Sequence, residues 1–327
     1  MISPRMHFSR YMRIVVPLVG FLILYGIYYA LQPMILSPFG FTSFFNQSTG
    51  LAMAAIGQTF VLLTGGIDLS LGSMVSLTNS IAGTLMGPDA SAGQTLVVTV
   101  VVLGAGSLAG LFNGLIVTYG RIQPIIVTLS TSFVFQGLAL LVRPQPGGGV
   151  SPGFSQALVG FDAVPHSAVL LLLVFLVSWV FLSRTNRGWS IYAIGSDERS
   201  AFSVGLKIPS TKVLVYVLSG LFASLTGLFL AAQTTSGDPN IGSVYTLNSV
   251  ASAVLGGVAL TGGSGGAFGP IIGAFFISII TNVLYVAGMS SFYQDLVQGG
   301  LLLLVLTIFG IRILRNRSWL GYIRGEG

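Results

Sequence analysis

The chain has 327 residues, of which 53% are hydrophobic and only 7% charged, where a soluble globular protein carries about a quarter charged residues. That balance argues against a water-soluble fold, and the net charge of +6 reads as loop placement around a membrane rather than nucleic-acid affinity. With no cysteine, disulfides, thiolate metal sites and cysteine nucleophiles are excluded. The two histidines, His7 and His166, stand in the N-terminal tail and at the start of a span. They give no basis for a histidine metal or catalytic site, and no cofactor is expected.

A basic tail (Arg5, Arg10, Arg13) precedes an apolar stretch from Ile14 to Leu31. The stretch is long for a signal peptide's apolar core and no clear small-x-small site closes it, so it reads as a retained first span. Further apolar segments follow near 51–64, 67–86, 95–118, 125–142, 166–183, 211–233, 246–262, 266–288 and 293–312. At roughly 20 residues per crossing, the expected fold is all-α: a polytopic transmembrane helical bundle of about ten spans, with an internal repeat and broken helices. The expected organisation is a cytoplasmic basic tail at 1–14, a transmembrane domain at 15–312 with a cytoplasmic loop at 184–210, and a cytoplasmic basic tail at 313–327. The second and eighth segments are short and end in glycine pairs.

With the N-terminus inside and the spans alternating, every Lys and Arg except Arg143 falls on the inner side, the positive-inside pattern. Asp89, Asp162, Asp238 and Asp295 fall outside. An even number of crossings is favoured, with both termini cytoplasmic; the short glycine-broken segments are either crossings or re-entrant, and re-entry removes two crossings and keeps the parity. Residues 54–66 (AAIGQTFVLLTGG) and 251–263 (ASAVLGGVALTGG) both end in Leu-Thr-Gly-Gly and both precede another apolar helix. Short, glycine-interrupted segments in corresponding positions point to a transport pathway. The 44 glycines suit close helix packing, because small residues let backbones approach in lipid.

Three features carry function. The first is Gly65-Gly66-Ile67-Asp68-Leu69-Ser70-Leu71-Gly72-Ser73, which places a carboxylate at a helix break. Asp68 is either a cap accepting from the amides of Ser70 or Leu71, or a gate or substrate contact. The second lies in the inner loop: Ser196-Asp197-Glu198-Arg199-Ser200-Ala201-Phe202-Ser203-Val204-Gly205 reads as a short helix. Ser196 is its expected N-cap, Asp197 and Glu198 suit the positive end of the dipole, Gly205 is the expected stop, and Pro209 blocks continuation. It is either a docking helix for a cytoplasmic partner or a solvated connector. The third is a set of polar residues within spans: Gln58, Asn79, Asn113, Ser130, Thr131, Ser132, Gln136, Asn248, Ser249, Asn282 and Gln298. Neutral amides and hydroxyls suit a path for a polyhydroxylated solute, and they equally suit interhelical hydrogen bonding. The gate and pathway candidates are Asp68, Gln58, Asn79, Asn113, Gln136, Asn248 and Asn282. No Gly-x-x-x-x-Gly-Lys-Ser/Thr occurs, the only lysines being Lys207 and Lys212, so the chain has no P-loop, and no enzyme activity is expected of it.

Together these residues resemble the ribose-type permeases of bacterial ABC importers. Gly65 to Ser73 is similar to that family's most recognisable motif. Gln123-Pro124-Ile125-Ile126-Val127-Thr128-Leu129 resembles its Pro-Phe-Ile-Val-Thr-Leu segment, with Ile125 where Phe is common. Ala193-Ile194-Gly195 through Ala201 and Gly205-Leu206 resembles its inner-loop motif, with Ser200-Ala201 for the usual Ala-Ala. Leu247 to Ala251, followed by Gly256-Gly257 and Gly262-Gly263, resembles a further block that usually has Asp at the position of Asn248. The resemblance runs from about residue 50 to residue 312. It implies a bacterial inner-membrane permease dimer, homo- or heteromeric, with two cytoplasmic ATPase subunits and an extracytoplasmic binding protein for a sugar. It also implies that Ser196, Asp197, Glu198, Arg199, Ser200, Ala201, Phe202 and Gly205 form the ATPase-coupling helix. Nucleoside and branched-chain amino-acid permeases are the nearest alternatives. An ion-coupled secondary transporter and an intramembrane enzyme are the rivals from other classes, and the sequence shows neither buried charge pairs nor a convergent catalytic set.

Overall fold

The structure is a computed structural model that describes residues 4–160 and 165–290, with scattered positions between 292 and 307. In chain order its helices are α1 (Pro4–Leu31), a 3-10 turn at Pro33–Leu36, α2 (Pro38–Leu63), α3 (Leu71–Leu85), α4 (Ala92–Tyr119), α5 (Pro124–Val142) and α6 (Pro152–Val159). There follow α7 (His166–Arg184), α8 (Asn186–Ser196), α9 (Glu198–Ser203), α10 (Ile208–Thr234), α11 (Tyr245–Leu255) and α12 (Phe268–Val286). Among the described residues α4, α5, α7, α10 and α12 are long and apolar enough to cross a membrane, and α1 contributes a shorter apolar helix, Pro17–Leu31. The chain is therefore a polytopic helical membrane protein. Most of the expected tenth segment, Gln298, Asp162, Asp295 and the tail at 313–327 lie outside the described residues, as do the side chains of the N-terminal tail.

The bundle is organised around α10, which packs on α2, α3 and α4. In its most apolar window 67% of residues are buried, against 28% in α4, α5 and α7, so α10 is the axis and those three turn apolar faces outward. Val97, Val100, Leu108, Leu141, Leu172 and Val177 are among the exposed side chains of that outer layer. The α4–α10 contact is built on glycine: Gly106, Gly110 and Gly114 recur every four residues along one stripe of α4. A methyl group on Gly110 would strike the backbone of Tyr216, and one on Gly106 the backbone of Gly220. Lipid supplies no hydrophobic drive between helices, so this close approach and its dispersion contacts hold the pair. A second layer joins α1, α2 and α12 through Phe21, Tyr25, Phe44, Phe45 and Phe275, whose ring centroids lie 5.0–6.4 Å apart.

Three expected segments differ in extent. The second, placed at 51–64, is a helix from Pro38 to Leu63. Its start carries a plain signal, with Ser37 accepting from the Gly40 amide at 3.1 Å and Pro38 at the first position, where proline loses no helical hydrogen bond. Its first half is too polar to read as a span, yet Asn46 is buried and donates to the Val159 carbonyl at 3.0 Å. The third begins at Leu71, four residues after its expected start, because Ile67 to Ser70 form the break. The eighth, placed at 246–262, stops at Leu255. Its 11 residues span roughly 16 Å, about half of a bilayer's hydrocarbon core.

Both interrupted helices end in the same way. At the end of α2 the Gly65 amide donates to Leu62 and the Gly66 amide to Val61; at the end of α11 the Gly257 amide donates to Val254 and the Val258 amide to Ala253. Gly65 (φ 80°) and Gly257 (φ 88°) are left-handed, and these paired bonds satisfy carbonyls that a helix end would otherwise leave open. The stop of α11 thus falls at Gly256-Gly257, and the second Leu-Thr-Gly-Gly lies beyond it in an irregular turn.

Candidate functional site

The break between α2 and α3 exposes backbone groups that lipid cannot satisfy, and four neighbouring helices close it. Asp68 Oδ1 accepts from the Ser70 amide at 3.0 Å and the Ser70 hydroxyl at 2.6 Å. Asp68 Oδ2 accepts from the Ser219 hydroxyl of α10 at 2.7 Å. Asn113 of α4 donates to Ser70 Oγ at 2.7 Å. Thr128 of α5 takes the Leu69 amide at 3.0 Å and lies 3.1 Å from the Ile67 carbonyl. Gln58 of α2, with its amide oriented to satisfy both partners, donates to the Asp68 carbonyl and accepts from the Asp68 amide, each at 3.1 Å. Gln58, Asp68, Ser70, Asn113, Thr128 and Ser219 are all fully buried. Two further buried atoms at this break, Asn113 Oδ1 and the Tyr216 hydroxyl, have no hydrogen-bond partner among the described residues.

Three of the seven gate candidates, Asp68, Gln58 and Asn113, therefore converge on one cluster. The expected cap is present at Ser70 and not at Leu71, and it is one arm of a tertiary clamp rather than a local turn alone. Ser219 was not singled out from the sequence: a serine in a span looks the same whether it bonds its own helix or another. The amphipathic pattern gives no signal for it.

Asn79 and Gln136 meet at a different place, the loop after α10. Asn79 donates to the Gly227 carbonyl at 3.1 Å and accepts from the Asp238 amide at 2.7 Å. Gln136 donates to the Pro239 carbonyl at 2.9 Å and to Asn240 Oδ1 at 3.1 Å. The same loop pairs with the loop after α5 through Gly147 and Gly237, and Arg143 donates to Thr84 at 3.0 Å beside it. Asn79→Leu is expected to orphan the Asp238 amide, at about 1–3 kcal/mol, while the Gly227 carbonyl, inside α10, loses only its second bond. Faster hydrogen exchange at Asp238 and a lower unfolding temperature would register it; unchanged exchange would rule the role out. Asn282 bonds only its own helix, to Ser278 at 2.9 Å, and Asn248 is half-buried on α11. Ser130, Thr131, Ser132 and Ser249 also bond within their own helices. Among the described residues no group of three metal-ligating side chains forms.

The loop at 184–210 folds as two helices. Ser196 is the last residue of α8, and Asp197 caps α9 in its place, accepting from the Arg199 amide at 2.9 Å and the Ser200 amide at 3.3 Å. An extended backbone at Asp197 makes the cap, and aspartate accepts as well as serine does there. The Ser200 hydroxyl, 2.8 Å from Oδ2, and those amides hold the Asp197 carboxyl below the usual carboxylate range. The cap is therefore intact above that range and is lost as pH falls through the lowered value. Gly205 ends α9 as expected, the Gly205 amide donating to Phe202 and the Leu206 amide to Ala201. Pro209 does not block a helix but lies in the first turn of α10, where proline is tolerated.

Packing gives α9 two faces. Ala201 is buried against Ile194, Ile208 and Leu206, and Glu198 reaches Lys212 of α10 at 2.8 Å. That pair is exposed and contributes little by itself. On the other side Phe202 is 75% exposed and Val204 76%.

A family model described as the permease component of a branched-chain amino acid transport system matches residues 40–306. The chain belongs to this permease family. The permease is 37% identical over 312 residues to the ribose import permease protein of Bacillus subtilis (strain 168), covering 93% of this chain and 95% of that one. It is 33% identical over 299 residues to the ribose import permease protein of Escherichia coli (strain K12), covering 89% and 92%. It is 31% identical over 267 residues to the D-allose transport system permease protein of Escherichia coli (strain K12), covering 80% of each chain. No solved structure matches the permease.

Proposed function

We infer that the permease is the membrane-spanning subunit of a sugar ABC importer in a bacterial inner membrane. One observation carries this reading: the aligned relatives named for ribose, galactose or methyl galactoside, and allose cover most of the chain. The family description mentions branched-chain amino acids, but those matches, which span 80% or more of each chain, favour a monosaccharide over an amino acid or a nucleoside. The importer reading brings two partners, a cytoplasmic ATPase that hydrolyses ATP and an extracytoplasmic protein that delivers the sugar; the permease itself performs no catalysis. The chain crosses the membrane about ten times with both termini cytoplasmic, and pairs with a second permease subunit and two ATPases. The positive-inside distribution of Lys and Arg supports that orientation.

The loop at 184–210 is the ATPase-docking element, and its exposed Phe202 and Val204 are the apolar contact. The cluster at Asp68 is the gate. Its closed, fully buried state supports a sealed inner end, and the spare hydrogen-bonding capacity at Asn113 and Tyr216 supports a second arrangement of the break. Reconstitution in proteoliposomes with the ATPase and binding protein of its gene neighbourhood is expected to give ATP-dependent uptake of a monosaccharide. Uptake driven by an ion gradient without ATP would overturn the reading.

A further inference from the structure

The two Leu-Thr-Gly-Gly motifs meet in space, and the end of α8 is wedged against both. The Leu63 carbonyl of the first motif accepts from the Gly263 amide of the second at 2.9 Å. A Cβ at Gly262 would stand 2.8 Å from the Gly65 nitrogen and 2.9 Å from the Gly195 oxygen, and one at Gly263 would stand 2.8 Å from the Ser196 Cα. A Cβ at Gly195 would fall on the Leu63 carbonyl oxygen and close to the Gly263 nitrogen, the two atoms of the bond that joins the motifs. The Tyr192 hydroxyl, on the preceding turn of α8, donates to the Gly265 carbonyl at 3.0 Å. Backbone thus meets backbone three ways at a point two residues before the Asp197 cap of α9.

This contact has a mechanical consequence. A displacement between side chains is absorbed by rotamer changes, but here no side chain intervenes, and packed interiors pass on what they cannot absorb. A shift of α9 reaches Gly195 along the chain through Asp197 and Ser196, and through the packing of Ala201 on the adjacent Ile194. At Gly195 it can only move Leu63, the last residue of α2, and Gly263, in the turn before α12. These two glycine-rich turns are where the membrane helices are already broken.

We propose that Gly195 is the positioning residue through which the cytoplasmic loop moves both helix breaks as one unit. The proposal rests on the importer reading and adds to it the point where motion of the ATPase enters the membrane domain. Its signature is the ratio of sugar taken up to ATP hydrolysed, which a purely structural glycine would leave unchanged in whatever protein assembles. In proteoliposomes holding the complete transporter, Gly195→Ala is expected to keep its ATPase and hydrolyse ATP while that ratio falls tenfold or more. Tyr192→Phe, which removes one hydrogen bond and adds no volume, is expected to lower it about threefold, and carries the test if Gly195→Ala does not assemble. Gly83→Ala also makes a backbone clash, at the Gly237 amide, away from the junction, and is expected to leave the ratio unchanged. An unchanged ratio in the assembled Gly195→Ala protein and in Tyr192→Phe, or an equal fall in Gly83→Ala, would overturn the proposal. Absence of ATP-dependent uptake in the wild-type transporter would instead overturn the importer reading.

Discussion

Phe202→Asp is expected to weaken ATPase association about 100-fold and to reduce ATP-driven uptake with it, while membrane insertion stays normal. The reason lies in how α9 is held. Its inward face is fixed by Ala201 against Ile194 and Ile208, by the Asp197 cap and by the glycine stop at 205. None of these involves the Phe202 side chain, whose ring projects from the helix at 75% exposure. A carboxylate there costs the isolated permease almost nothing, since the site is already solvated. In a docked complex it buries an unpaired charge where an aromatic anchor should sit, and aromatic anchors are among the residues that carry most interface energy. A 100-fold loss corresponds to about 2.8 kcal/mol, within the range for one such anchor. Co-purification of the ATPase measures it, with Phe202→Leu retaining most of the binding. Undiminished co-purification with Phe202→Asp would remove Phe202 from the docking face, and a variant with residues 197–204 replaced by a Gly/Ser linker would then show whether α9 docks at all.

The second large effect is expected at Asp68, where two substitutions should part company. Asp68→Leu removes the acceptor for the Ser70 amide, the Ser70 hydroxyl and the Ser219 hydroxyl. Each orphaned group costs about 1–3 kcal/mol when buried, and lipid offers no water to relieve it. A loss on the order of 4 kcal/mol is a large share of a stability of roughly 5–15 kcal/mol, so the variant should be recovered poorly and unfold early. Asp68→Asn keeps the volume and one acceptor oxygen for Ser70. Its new amide faces Ser219, whose hydroxyl turns to accept. The asparagine variant should therefore unfold within about 1 kcal/mol of the wild type, yet transport at least tenfold less if the carboxylate serves as a gate. Thermal unfolding of the detergent-purified variants, set beside their uptake, separates the roles. Misfolded or degraded Asp68→Asn would leave only the cap.

Much of the loop at 184–210 was legible in the order of its residues. Capping and stop signals are local, so a short helix ending at Gly205 followed from the order of residues. The N-cap is Asp197 and not Ser196: both side chains accept well, and the choice between them depends on where α8 ends. The extent of α2 was illegible for a different reason. Its polar first half satisfies Asn46 against Val159 and Ser167, partners more than a hundred residues away, so hydropathy undercounts it. All seven gate candidates are polar residues in apolar segments, and polarity alone does not sort them. Asp68, Gln58 and Asn113 share one break, Asn79 and Gln136 brace a loop, and Asn282 turns back on its own helix.

Composition by itself determined that this chain lives in lipid, because a chain with 7% charged residues cannot clothe a water-exposed surface. The resemblance of its motifs to those of ribose-type permeases implied a permease, and the glycine pairs, the carboxylate at a break and the capped short helix were legible because each imposes local backbone geometry. Tertiary structure alone decided which of these features touch. Neither the meeting of the two Leu-Thr-Gly-Gly turns, nor the seat of Gly195 between them, nor the bond from Ser219 to Asp68 has any local cause. Each follows from how distant helices pack, and in lipid that packing is set by close fit and hydrogen-bond satisfaction, which the linear pattern does not encode.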